Sequence, residues 1–243
     1  MKCGVVTFPG SNCNHDMMYA LGNIMGQGVI ELWHKDQDTK NCDLIVLPGG
    51  FSYGDYLRSG AIASLSPIMK EVIRYANYGG LLLGICNGFQ ILCEAGLLPG
   101  ALLHNNQQKF ICKNTFLKPC SETALITKNI DKNSAFKIPI AHGEGRYYAN
   151  DSVVDDLFSS DQVLFQYCDS NGIISEKVNP NGSIKNIAGI ANKSKNVMGM
   201  MPHPERAIDP LLGNTDGAKL FNSLLRLKAV SYTHLTLPTT GIV

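Results

Sequence analysis

Between residues 81 and 90 the chain reads Leu-Leu-Leu-Gly-Ile-Cys-Asn-Gly-Phe-Gln. Leu81–Ile85 is an unbroken apolar run, the pattern of a central strand covered on both faces in a parallel sheet. It ends in Gly84-Ile85-Cys86-Asn87-Gly88, after which Asn87–Glu94 reads as a helix. That is the strand–turn–helix template G-x-S-x-G with cysteine in place of serine. Side chains at the two glycine positions would clash where strand and helix meet. The turn projects Cys86 above the carboxyl end of the sheet, where open α/β folds bind ligands. It also sets the sulfur at a helix N-terminus, whose partial positive charge favours a thiolate. A buried structural cysteine is the competing reading, and the combination of strand, two glycines and helix outweighs it.

The remaining pattern up to residue 100 agrees with an α/β chain. Strands are expected at about Cys3–Phe8, Val29–Trp33 and Asp43–Leu47, and a helix over Asp16–Met25. A second helix opens with Ser66 as cap and Pro67 at its first position, and closes at Gly79-Gly80. The alternation implies a doubly wound sheet with right-handed crossovers. Beyond Gly100 the character changes to short strands joined by Asn/Gly/Ser turns: Phe110–Leu117, Ala124–Thr127, Val163–Tyr167, Ile187–Ala191 and Val197–Met201. Asn179-Pro180-Asn181-Gly182 is a strong turn signal. These strands read as a mixed, antiparallel extension of the same sheet, closed by a helix over Asp216–Leu227. The reading is therefore one domain over residues 1–229. Residues 230–243, which include Ser-Tyr-Thr-His-Leu-Thr-Leu-Pro-Thr-Thr, have no usable period and read as a non-native or disordered tail, with a natural tail docked on the surface as the alternative.

With 243 residues, 44% hydrophobic and 17% charged, the chain can bury a core without staples. Its 21 basic and 20 acidic residues give a net charge of +1 with no basic stripe, which argues against nucleic acid or an acidic membrane surface as partner. The N-terminus carries a short strand pattern rather than a signal peptide, and no window reaches transmembrane length. Eight cysteines without a secretory signal read as reduced thiols in a cytoplasmic protein. No CxxC pair occurs among them, so no metal site is expected.

A thiol nucleophile needs a base. Of six histidines, His203 stands out because it follows the apolar strand Val197–Met201 and sits between Pro202 and Pro204, which fix the backbone on both sides. In an extended segment Glu205, two residues on, projects to the same side. It can then hold the ring tautomer as the acid of a triad does. A loop histidine beside a solvated glutamate fits the same short motif. Leu47-Pro48-Gly49-Gly50 is a second strand ending in glycines. Its backbone N–H groups at Gly49 and Gly50 can serve a developing oxyanion together with that of Asn87, although Pro-Gly-Gly is also a plain turn. No G-x-x-x-x-G-K-[ST] loop is present.

Cys86, His203 and Glu205 together resemble the class I (triad) glutamine amidotransferases, which have a flavodoxin-like, mostly parallel α/β sheet. Longer runs sharpen the resemblance: Phe8-Pro9-Gly10-Ser11-Asn12-Cys13, Pro48–Gly60, Cys86-Asn87-Gly88-Phe89-Gln90, His142-Gly143-Glu144-Gly145-Arg146-Tyr147 and Met200–Arg206. They are similar to the subfamily of glutaminase subunits of phosphoribosylformylglycinamidine synthase, from Met1 to about Lys228. The resemblance implies that Cys86 attacks the amide of L-glutamine and that His203 protonates the departing ammonia. It implies oxyanion donors at Gly50 and Asn87, and contact between Gln90 and the substrate. Glu144 and Arg146 would orient substrate or face the partner, with a plain surface turn as the alternative. It also implies no cofactor in this chain. ATP and Mg would be used by a partner synthetase subunit, which turns formylglycinamide ribonucleotide into formylglycinamidine ribonucleotide, often with a small third subunit. Rival readings are a glutaminase serving another acceptor, a free-standing γ-glutamyl hydrolase, and a non-catalytic protein in which Cys86 is merely oxidisable.

Overall fold

A computed structural model of the chain describes residues 1–225. Its first part alternates β1 (Lys2–Thr7), α1 (Asn14–Tyr19), β2 (Gly28–Trp33), β3 (Leu44–Leu47), α2 (Ala61–Ser64), α3 (Pro67–Asn77), β4 (Leu81–Ile85) and α4 (Asn87–Glu94). Then come β5 (Ala101–Leu103), β6 (Ile111–Pro119), β7 (Phe136–His142), β8 (Arg146–Tyr148), α5 (Asp151–Ser159), β9 (Val163–Cys168), β10 (Ile187–Ala191), β11 (Val197–Met200) and α6 (Asp216–Leu225). Among the described residues a nine-stranded sheet runs in the order β2-β1-β3-β4-β11-β10-β9-β6-β7, while β5 and β8 form a separate ribbon.

The strands from β2 through β1, β3 and β4 to β11 are parallel. From β11 onward every pairing is antiparallel. The apolar runs explain this division. Leu44, Ile45, Val46 and Leu47 are fully buried, as are Leu82, Leu83 and Ile85, because crossover helices cover both faces there. Each such side chain contributes about 1.5–3 kcal/mol relative to exposure. On the far side, β7 shows the alternating burial of a half-covered strand. Register irregularities between β9 and β10 bend this half. The bend brings edge strand β7 back over the parallel half, where His203 N–H donates to Pro139 O at 2.8 Å.

Several expectations needed correction. Ser66 precedes α3 but does not cap it; its hydroxyl donates to Ala63 O at 2.7 Å instead. Ala124–Thr127 is not a strand. Ser121 Oγ accepts from Ala124 N–H, and Thr127 N–H and Oγ1–H both bond within the segment, so local turns bury Ala124 and Ile126. The pattern also gave no hint of β5, β7, β8 or α5. Pro139 within β7 masked the strand, and the structure tolerates it because β7 is a sheet edge. Helix α5 is capped by Asn150, whose Oδ1 accepts from Val153 N–H at 2.9 Å. The expectation about residues 230–243 lies outside the described residues.

Candidate active site

At the carboxyl end of β4, Cys86 has φ 51° and ψ −107°, a strained conformation that costs about 1–3 kcal/mol. The surroundings enforce it. A methyl on Gly88 would lie 1.9 Å from Leu47 O, and one on Gly84 would lie 2.7 Å from Gly88 O. Only glycines let α4 approach β3 and β4 this closely. The turn is pinned by Cys86 N–H donating to Met200 O at 2.8 Å and by Gln90 N–H donating to Cys86 O at 3.1 Å. The sulfur is almost fully enclosed and faces Ala141 O at 3.8 Å.

Parallel pairing brings the other groups to the same edge. Met200 of β11 pairs with Ile85 of β4, so the segments after both strands emerge side by side and carry His203 and Cys86. On the opposite flank Leu47 of β3 pairs with Gly84, which places Gly49 and Gly50 beside the elbow. A methyl on Gly49 would come within 2.6 Å of His203 Cε1 and 3.3 Å of Cys86 Cβ. Asn87 opens α4, so its N–H is one of those a helix start leaves without an intrahelical acceptor.

His203 and Glu205 are buried, and Nδ1 of the ring lies 2.6 Å from Glu205 Oε1. The segment between them is not extended as anticipated. Pro204–Arg206 form a 3₁₀ turn begun by the proline, and its tight rise still folds the carboxylate back onto the ring. Nε2 of His203 is buried without a protein hydrogen-bond partner, which leaves it for the thiol and substrate. Burial lowers the proton affinity of His203. The charge of Glu205, with Cys86 and Cys13 adding to it, outweighs that and lifts the value well above that of an ordinary histidine.

A cavity of about 150 Å³ opens in front of the sulfur, lined by Gly50, Phe51, Asp55, Ser59, Cys86, Gln90, His104, Phe110, Ala141, His142, Gly143 and Glu144. It suits one small amino acid. A larger cavity of about 830 Å³, near Gln166, Ser175 and Lys185, contains none of these candidate groups. Asn87 and Gln90 brace the small cavity. Asn87 Nδ2 donates to Gln90 Oε1 at 2.8 Å and to Asp55 Oδ1 at 3.1 Å, and its Oδ1 accepts from Ser52 N–H. Gln90 Nε2 donates to Glu144 O at 2.6 Å. Burial raises the Asp55 carboxyl to about 6, with Glu144 adding to this against the hydrogen bonds from Ser59 and Asn87. Glu144 also approaches His104 Nε2 at 3.4 Å. Arg146 stands apart from the cavity and donates from Nε to His104 O at 2.9 Å.

Several residues of this site carried no signal of their own. Asp55 lies inside the long run from Pro48 to Gly60, but only the fold turns it inward. His142 is buried beside the site, and its Nε2 accepts from Asn181 Nδ2 at 3.1 Å. Burial, then the neighbouring His203, depresses its basicity to about 3, so it is a neutral ring. Cys13 follows β1. Its Sγ, a ring nitrogen of His203 and a carboxylate oxygen of Glu205 lie within 4.8 Å of one another, and Arg206 donates to that sulfur at 3.1 Å. Cysteine spacing pointed to no such cluster, because it is assembled across the whole chain.

Residues 1–223 match the CobB/CobQ-like glutamine amidotransferase domain. Among curated relatives, phosphoribosylformylglycinamidine synthase subunit PurQ of Chlorobaculum parvum is 52% identical over 92% of this chain and 89% of its own length. The subunit of the same name from Moorella thermoacetica is 52% identical over 93% and 95%. A chain of the solved PurLQS structure from Thermotoga maritima superposes with a TM-score of 0.82 at 43% identity, covering 93% of this chain and 98% of that one. The elbow, the buried His–Glu pair and the small acidic cavity thus sit on a shared fold. The chain belongs to the CobB/CobQ-like glutamine amidotransferase family, and at this level of identity its relatives are PurQ subunits of phosphoribosylformylglycinamidine synthase.

Proposed function

We propose that this chain is the glutaminase subunit of a phosphoribosylformylglycinamidine synthase and hydrolyses L-glutamine to glutamate and ammonia for purine biosynthesis. The observation that carries the chemistry is the convergence of a strained, enclosed Cys86 and the buried His203–Glu205 pair on one amino-acid-sized cavity. Cys86 passes its proton to Nε2 of His203, and its Sγ attacks the side-chain carbonyl carbon of glutamine. The developing oxyanion meets N–H groups of the Gly49–Gly50 loop and of Asn87. His203, charged through its pairing with Glu205, gives a proton to the amide nitrogen, and ammonia leaves as the γ-glutamyl thioester forms. Water, relieved of a proton by the now neutral His203, then releases glutamate and the thiol.

Recognition falls to the opposite wall. Asp55 and Glu144 offer carboxylates to the α-ammonium group of the substrate, and Gln90 both lines the cavity and anchors the Glu144 backbone. Arg146 braces the segment next to His104 rather than touching substrate. Ammonia passes to a synthetase subunit, and a small third subunit completes the assembly, as the PurLQS relative supports. That synthetase uses ATP and Mg, and this chain needs no cofactor of its own. Exposed Phe51 and Phe110 line the cavity, apolar side chains suited to such a partner. No helix among the described residues is long and apolar enough to cross a membrane. Eight free thiols support a cytoplasmic location.

The test is glutamate release from glutamine, with the chain alone and then with a synthetase subunit, ATP and formylglycinamide ribonucleotide. The expected result is strong stimulation by the partner and its loss in Cys86→Ser. Equal turnover with and without the partner would instead indicate a free-standing hydrolase.

A further inference from the structure

Cys13 has no part in the hydrolysis just described, yet it stands where three segments of the site meet. It follows β1 and opens α1, where its carbonyl accepts from Met17 N–H at 3.0 Å. Its own N–H donates to Gly49 O at 3.3 Å, in the segment after β3. Its Sγ accepts from Arg206 Nη2 at 3.1 Å, in the turn after β11, and donates to Asn12 Oδ1 at 3.2 Å. Arg206 directly follows Glu205, and Asp16 of α1 accepts from its Nε at 2.9 Å. The sulfur also lies within 4.8 Å of a ring nitrogen of His203 and a carboxylate oxygen of Glu205. At 3% exposure the Cys13 side chain is shut off from solvent, where the low local dielectric strengthens such contacts.

The contact to Gly49 has a directional consequence. The peptide joining Gly49 and Gly50 is trans, and in a planar trans peptide the N–H points opposite to the C=O. Cys13 holds that C=O on its own side, so the Gly50 N–H is aimed the other way. Further contacts keep the loop in this orientation. Ser11 pairs with Gly50 in an antiparallel bridge, and Phe51 N–H donates to Gly10 O at 3.1 Å. Gly50 itself has φ 141°, and a methyl there would lie 2.8 Å from Asn12 N. We infer that Cys13 is a positioning residue of the glutaminase: its backbone aims the Gly50 N–H, and its sulfur locks that loop to the turn carrying His203 and Glu205. An oxyanion donor and the base are thereby set in register by a residue that takes no chemical step. The inference rests on the glutaminase reading above, which assigns the Gly50 N–H and His203 their roles.

The experiment compares partner-stimulated glutamate release by the wild-type chain, Cys13→Ser and Cys13→Ala, with Tm measured alongside. Serine keeps a donor and an acceptor at this place, and alanine keeps neither. Cys13→Ala is expected to lower kcat by about tenfold with KM unchanged, and Cys13→Ser to recover most of that loss. A cysteine that only fills space predicts the reverse order, because a buried hydroxyl costs more than a methyl. Equal kcat in Cys13→Ala and wild type, or a lower kcat in Cys13→Ser than in Cys13→Ala, would overturn the inference. Should Cys13→Ala fail to fold, Arg206→Ala removes the same contact from a less buried side chain. Its kcat should also fall at unchanged KM, and an undisturbed kcat would count equally against the inference. Wild-type turnover that is absent, or that survives Cys86→Ser, would refute the glutaminase reading and this inference with it. Cys86-dependent turnover left intact in Cys13→Ala would refute this inference alone.

Discussion

Behind Cys86 the wall of the cavity consists of parallel strands and α4, locked by backbone hydrogen bonds and by glycines that admit no methyl. In front of it the wall consists of loops, residues 50–59 and 104–110, and of the strand-end segment 141–144. The first wall holds groups nearly devoid of solvent contact. The second carries exposed aromatics, with the Phe51 and Phe110 rings tilted at 33° to each other and their centres 6.3 Å apart across the mouth. Under the proposed function the two walls have different tasks. Bond-making atoms must be placed to a fraction of an ångström, which calls for regular structure. Substrate admission and partner contact call for segments that can adjust, and these sit on loops.

The contrast can be tested at its strongest point first. In the rear wall, His203→Gln should lower kcat by about 10²–10⁴-fold with little change in KM, measured as partner-stimulated glutamate release. A large rise in KM instead would place His203 in recognition. Next, Gly88→Ala should destabilise the chain by about 3 kcal/mol, because its methyl has nowhere to go beside Leu47 O. A Tm unchanged from wild type would show that α4 can move away from β3, and that the wall is softer than described.

The front wall should respond in substrate affinity. Asp55→Asn is expected to raise KM by about tenfold, the loss of roughly one charged hydrogen bond, with kcat little changed. Its carboxyl is raised to about 6 in the folded chain. The protonated form is therefore favoured by folding, and this contribution is fully present below the unfolded value and fades as pH rises through 6. Substrate ammonium needs the ionised form, so wild-type KM should fall as pH rises through 6, and Asp55→Asn should abolish that dependence. Flat KM profiles for both proteins would remove Asp55 from recognition. The smallest effect belongs to Arg146→Ala, whose contact is to a backbone carbonyl at the rim. Stability should change by about 0.5 kcal/mol or less, with KM within error of wild type; a tenfold KM change would move Arg146 into the site.

Much of the rear wall was legible in the linear sequence. An apolar strand, a glycine pair one helical start apart and a histidine held between prolines each leave a local pattern, because their conformations are set by neighbours in the chain. Gly84, Cys86, Gly88, His203 and Glu205 could all be named from such patterns. The front wall was legible only through resemblance to long family motifs, and Gln90, reaching across from α4, turned out to brace the Glu144 backbone carbonyl of that wall as well as line the cavity. The segment Ala124–Thr127 was misread because its apolar residues are buried by side-chain-capped turns, which carry no periodicity. Strand β7 was missed because a proline argues against a central strand, and only sheet order shows that the strand is an edge.

The sequence alone therefore determined the parallel half-sheet, the elbow and the residues proposed as nucleophile and base, since apolar periodicity and backbone restriction act over a few residues. Tertiary structure decided which distant groups share the cavity: His142 and Glu144 carried back by a curled antiparallel half, Asp55 turned inward by Asn87, and Cys13 brought to His203 from the far end of the chain. Those contacts depend on strand order and sheet curvature, which arise from packing the whole chain at once.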